Sequence, residues 1–249
     1  MITYSMTPVD IFNRISQDRP KIEYWLNKAK SKAEKSFKSQ YKFPKYYIEE
    51  YKNKESCIEY LLISFLSDSK SKSEEKIMAK CCLENKKYYI DFGYTFSNVD
   101  FKNQTGTAQA TLNIYNAHFF NRYKERILKD EHIEINDVIG LFFARMLRIH
   151  ALNINDEIIK DWRTKYGEFS IVVMTNEGIC LGKSGIYQSH NMPSEEGKCK
   201  EVIVYEFNTI ITKSMLSDSQ KEAIEKEELE YSKQYYKQVT EFMISQLWK

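Results

Sequence analysis

With 249 residues, 42% of them hydrophobic and 29% charged, the chain has the composition of a folded globular protein, long enough to need no metal or disulfide staple. A net charge of only +2 excludes an overall basic field that would collect nucleic acid non-specifically. Five cysteines, two of them the adjacent Cys81 and Cys82, make no disulfide framework, and four dispersed histidines without any CxxC spacing exclude a local zinc motif. The start lacks a basic segment leading into an apolar core, and no stretch approaches the roughly 18 apolar residues of a membrane span. A cytoplasmic protein without cofactor, metal or membrane partner is therefore expected.

Taken in order, the chain opens on a cap. Thr7 has the side chain of an N-cap, Pro8 suits the first helical position and Asp10 the positive dipole end, which predicts a short helix to about Ser16. A Lys-rich helix is expected from Pro20 to about Gln40, stopped by Phe43-Pro44. Between Pro20 and Lys54, ten Lys face four acids and are interleaved with aromatics, which reads as a solvated helix face or as a nucleic-acid surface. A further helix over Ser56 to Phe65 would complete a helical N-terminal region, 1–66. The Ser/Lys tract at 67–75 would then separate it from an α+β domain over 76–249, or merely interrupt one continuous domain.

Beyond that tract the period changes. Segments 76–83 and 87–96 flank Asn85-Lys86 as a hairpin, and 107–115 alternates strictly, as a half-buried strand does. Asn116 is placed to cap a helix to about Lys129, and Asn136 to cap a very apolar one to about Ala151. Asp156 to Tyr166, closed by Gly167, reads as a third helix, followed by a hairpin about Asn176-Glu177-Gly178, a polar loop over 183–199 and a buried strand over 201–211. Ser217 with Gln220 makes a capping box for a long C-terminal helix carrying Tyr236, Val239, Met243 and Leu247 on one stripe. The fold class is α+β: a helical N-terminal region, a mostly antiparallel sheet with packed helices, and the C-terminal helix. Gly182-Lys183-Ser184-Gly185 is no phosphate loop, since Glu177 stands where GxxxxGKS needs glycine.

One constellation points to chemistry. At about 100° per residue, His118, Arg122, Glu125, Arg126 and Lys129 share roughly a quadrant of the helix after Asn116, opposite Phe119, Phe120, Tyr123 and Ile127. A neutral imidazole can accept a proton from a ribose hydroxyl, guanidinium groups can stabilise charge developing on phosphorus, and Glu125 can orient an Arg or share proton transfer. Any amphipathic helix needs a polar face of such residues, so the pattern is equally that of a solvated surface.

The run Leu112-Asn113-Ile114-Tyr115-Asn116-Ala117-His118, continued by Arg122-Tyr123-Lys124-Glu125-Arg126, resembles the strand-to-helix HxxxRxxER pattern of small BrnT-like toxins, which belong with the RelE-like and barnase-like ribonucleases. The resemblance spans about residues 108–212. It implies that strands at 169–182 and 201–212 complete an antiparallel sheet. His118 would be base or acid and Arg122 and Arg126 the phosphate ligands, with Thr212 or Lys213 contributing from a strand end. The length, the near-neutral charge, the helix at 156–166 and the flanking helical regions depart from that family. Three readings stand: a metal-independent, toxin-like endoribonuclease acting on RNA and held by a protein partner or antidote, a non-enzymatic protein-binding or assembly protein, or a nucleic-acid-binding protein that uses the basic aromatic region without catalysis.

Overall fold

The computed structural model describes residues 2–39, 41–100, 105–146, 149–152, 156–189 and 198–247, with the backbone alone described at 96–100, 105–106, 149–150, 156–159, 161 and 234–247. Its centre is one nine-stranded mixed sheet. In chain order the strands are β1 (Lys45–Lys52), β2 (Glu59–Leu66), β3 (Glu74–Leu83), β4 (Lys86–Asp100), β5 (Thr105–Asn116), β6 (Ile149–Leu152), β7 (Ile171–Thr175), β8 (Ile179–Gln188) and β9 (Glu201–Ile211). The spatial order is β1-β2-β3-β4-β5-β9-β8-β7-β6. Two meanders thus meet at β5 and β9, which pair in parallel, Tyr115 beside Phe207, whereas every other described neighbour pair is antiparallel.

Helices clothe both faces. On one, α1 (Pro8–Lys38) lays Ile11, Phe12, Ile15, Ile22 and Ala29 over Tyr60, Leu62, Ile90, Leu112 and Val204. Farther along that face, α4 (Asp156–Tyr166) and the start of α5 (Asp218–Leu247) bring Trp162 and Ile224 onto Val172, Ile179 and Leu181. On the other, α2 (Ala117–Tyr123) and α3 (Ile135–Arg145) close an aromatic core in which Tyr115 meets Phe119, Phe120, Phe142, Phe143 and Phe207 at ring-centroid distances of 5.2–6.1 Å.

Several expectations are corrected here. The two N-terminal helices are one, running through Pro20. An internal proline costs about 3 kcal/mol, but apolar residues buried on both sides of it hold the helix on the sheet. Asp18, itself buried, is tied down by Ser56 and by the Tyr60 hydroxyl at 2.7 Å. The expected helix over Ser56 to Phe65 is instead strand β2, whose Tyr60, Leu61, Leu62 and Ile63 are all at most 1% exposed. A strand packed on both faces shows no alternation and cannot be told from a buried helix by periodicity. The region before residue 67 is therefore not wholly helical. Residues 67–73 join β2 to β3 within the sheet.

Downstream, α3 ends at Arg145 and Ala151 belongs to β6. Its N-cap is Glu134, while Asn136 donates to Glu50 on β1 at 2.6 Å. The polar segment expected as a loop from residue 183 continues β8 to Gln188. His190 and Leu147 lie outside the described residues, as do the side chains of the Tyr236, Val239, Met243 and Leu247 stripe.

Candidate functional site

The candidate helix starts where β5 ends, and its start is built by a defect in a neighbouring strand. Between Phe207, paired to Gly182, and Thr209, paired to Leu181, β9 carries one extra residue, Asn208. The bulge brings Asn208 Oδ1 within 3.1 Å of Asn116 Nδ2. So oriented, Asn116 turns its Oδ1 to the Phe119 amide at 2.8 Å and caps α2, as its position predicts. Gly182 makes the bulge possible, for a Cβ there would stand 2.3 Å from the Glu206 carbonyl oxygen. Phe119, Phe120 and Tyr123 are fully buried, which fixes the face that His118 and Arg122 present outward.

After Tyr123 the winding widens to a π-helical turn, Lys124–Leu128, closed by Lys129 in the left-handed region at φ 53°. Residues beyond Tyr123 are thereby displaced from the positions a regular wheel assigns. His118, Arg122 and Glu125 do come together: Arg122 Nε donates to His118 Nε2 at 3.2 Å, and its NH1 donates to Glu125 Oε2 at 2.6 Å. Arg126 turns to the sheet. Its NH1 donates to Thr209 Oγ1 at 3.1 Å and to the Ile210 carbonyl at 2.7 Å, and its guanidinium lies 6.0 Å from the centre of the Tyr166 ring.

The electrostatics follow from this packing. Partial burial, then Arg122 and Arg126, hold the His118 imidazole below the usual histidine range, with Glu125 opposing. The neutral ring accepting at Nε2 carries its proton on Nδ1. Arg126 is itself drawn down, by burial first and then by Arg122. The arrangement is a surface with two guanidinium groups, a neutral imidazole and one exposed carboxylate, chemically suited to an oxyanion.

Other expected contributors lie elsewhere. Lys213 pairs with Glu228 of α5 at 3.1 Å, and Thr212 shares a hydrogen bond with Ser214. Thr209, Asn208 and Tyr166 were missed: a strand bulge leaves no mark in hydrophobic alternation, and Tyr166 comes from a helix 40 positions beyond Arg126. In the basic aromatic region, Lys21, Lys30, Lys32 and Lys52 pair with Glu55, Glu75, Glu49 and Glu59, and Lys28 lies over Tyr24 and Trp25. Lys30 ties α1 to β3, Lys32 ties it to β1 and Lys52 ties β1 to β2, while Lys21 reaches the turn between β1 and β2.

The five cysteines are free thiols, with Cys180 buried and Cys81 pushed up to about 12 by burial. Among the described residues no three His, Cys, Asp or Glu side chains gather as a metal site, and no helix is long and apolar enough to cross a membrane. A cavity of about 510 Å³ opens by Ile58, Lys80, Cys81, Tyr88 and Asn136, and no residue of the α2 polar face lines it. No protein-family model, curated protein or solved structure matches this chain.

Proposed function

We propose that this is a cytoplasmic, toxin-like RNA-cleaving protein that works without a metal, with His118 as the proton-transfer group and Arg122 as the phosphate ligand. The observation that carries the reading is the neutral His118 imidazole held against Arg122 at 3.2 Å on an exposed helix face. Arg126 adds a fixed positive charge from its anchorage on β9. The resemblance implies an antiparallel completion of the sheet; β8 pairs antiparallel with both β7 and β9, but β9 joins β5 in parallel. A π-helical turn beside His118 supports the reading of a functional site, since such turns gather at functional sites.

The test is to incubate the purified full chain with mixed RNA in excess chelator and to analyse the product ends for cyclic phosphate. His118→Ala is expected to lower the rate on the order of 100-fold to 10,000-fold while leaving RNA binding intact. Arg122→Ala is expected to weaken binding and turnover together, because a charge-assisted phosphate contact is lost from ground and transition states alike. RNA left whole by the wild-type protein would sink the reading.

One observation favours the second reading, a non-enzymatic assembly protein. Helices pack on both faces of the sheet. A stable oligomer in light scattering, combined with absence of cleavage, is the outcome that reading expects.

A further inference from the structure

The two arginines of the candidate site are held in opposite ways. Arg126 is only partly exposed, and its NH1 is shared between a hydroxyl and a backbone carbonyl of β9. Moving it would break both of these bonds to β9. Among the described residues, Arg122 has its hydrogen-bond partners on its own helical segment: a neutral ring nitrogen at 3.2 Å and, through NH1, a carboxylate whose side chain is 58% exposed. An exposed pair three residues apart holds only weakly. A neutral imidazole is a weaker partner for guanidinium than a phosphate, which brings full negative charge and can accept two guanidinium bonds at once.

The Nε2 lone pair of His118 is occupied by the Arg122 Nε–H. In the resting protein the atom that would take a proton is therefore capped by the residue that would bind phosphate. We propose that Arg122 is a phosphate-operated latch: a phosphate or phosphodiester oxygen draws the guanidinium off His118, and the freed Nε2 becomes the proton acceptor. This rests on the ribonuclease reading for its purpose, yet the exchange itself is a binding event. Arg126 remains in place and supplies charge from the sheet side. Glu125 sets the strength of the latch by competing with phosphate for Arg122. Proton transfer is thereby confined to the moment when a phosphate is present.

The test is nitrogen NMR of the imidazole in the full chain, titrated with inorganic phosphate against sodium chloride at matched ionic strength. Without phosphate, the His118 signal is expected to show a protonated Nδ1 and an Nε2 perturbed by its hydrogen bond. Phosphate is expected to remove that perturbation and to raise the titration midpoint, because anion charge offsets the guanidinium groups that act on the ring. Arg122→Gln should start with a free Nε2 and lose the phosphate response. Glu125→Gln should keep the response and tighten phosphate binding by about two- to fivefold, the worth of an exposed ion pair.

An Nε2 signal indifferent to saturating phosphate in the wild type would overturn the latch. So would an undiminished response in Arg122→Gln, or unchanged phosphate affinity in Glu125→Gln. The outcome separates from that of the cleavage assay. Intact RNA with a phosphate-responsive His118 refutes cleavage and leaves the latch, while cleaved RNA with an unresponsive His118 does the reverse.

Discussion

Gly182 and Asn208 are single residues on which the candidate site depends without either touching its outward face. A side chain at position 182 would meet the Glu206 backbone, which no rotamer can relieve. Gly182→Ala is expected to lower stability by on the order of 2 kcal/mol, measured by denaturant unfolding. Its effect on His118 should come only through the bulge. Asn208→Ala removes the group that orients the cap of α2. A cap of this kind is worth about 1 kcal/mol, so a modest stability loss with altered His118 and Phe119 amide signals is expected. An unchanged spectrum would show that Asn116 holds its pose unaided.

His118 also makes a pH prediction. Its folded pKa is depressed, so the unfolded chain binds the proton more readily over the interval below the usual histidine value. Any stability linked to this residue is present above that value and is lost as pH falls through the interval. In NMR titration the His118 midpoint should lie below that of a histidine in a denatured sample, and should rise in Arg122→Gln. A midpoint at or above the denatured value would remove the case for a neutral imidazole among cations.

At the scale of elements, the aromatic cluster does most to place α2. Tyr115 on β5 stacks on Phe207 of β9 at 5.2 Å and meets rings from both α2 and α3. The strand pair and the helix pair thus share one side chain. Tyr115→Ala is expected to destabilise by about 3–5 kcal/mol, with loss of the near-ultraviolet aromatic signal ahead of far-ultraviolet change. Pro20 offers the converse case: Pro20→Ala should stabilise or be neutral, since the helix already passes through it and alanine restores a donor. A large destabilisation would show that the proline serves a geometry that alanine cannot reproduce.

At the scale of the molecule, the sheet joins what the chain order would separate. Within the sheet, the N-terminal meander β1–β5 and the C-terminal meander β6–β9 are joined where β5 pairs with β9. Helix α1 reinforces this seam, with Asn13 exchanging hydrogen bonds with the Cys199 backbone at 2.9 Å in both directions. One cooperative unfolding unit is the expected consequence. Far-ultraviolet signal and fluorescence of single-tryptophan variants retaining Trp25 or Trp162 should report coincident transitions in denaturant. Separate midpoints would mean that the two halves unfold as units.

What the sequence determined by itself was local chemistry. The Thr7 cap, the alternation of β5, the Asn116 cap, the left-handed Gly167 and the hairpin of β7 and β8 were all legible, because each is decided within a few residues by side-chain hydrogen bonding, φ preference or period. The grouping of His118, Arg122 and Glu125 was legible for the same reason, being neighbours four and three positions apart on one helix. Tertiary structure decided the rest. It made β2 a strand although its apolar run suits a buried helix, and it carried α1 through Pro20. Through a π-helical turn, it directed the Arg126 guanidinium onto the β9 backbone while leaving it near enough to act on His118 and Arg122. These outcomes depend on which surfaces bury together, and burial across distant segments outweighs the roughly 1–3 kcal/mol of local preference that a sequence displays.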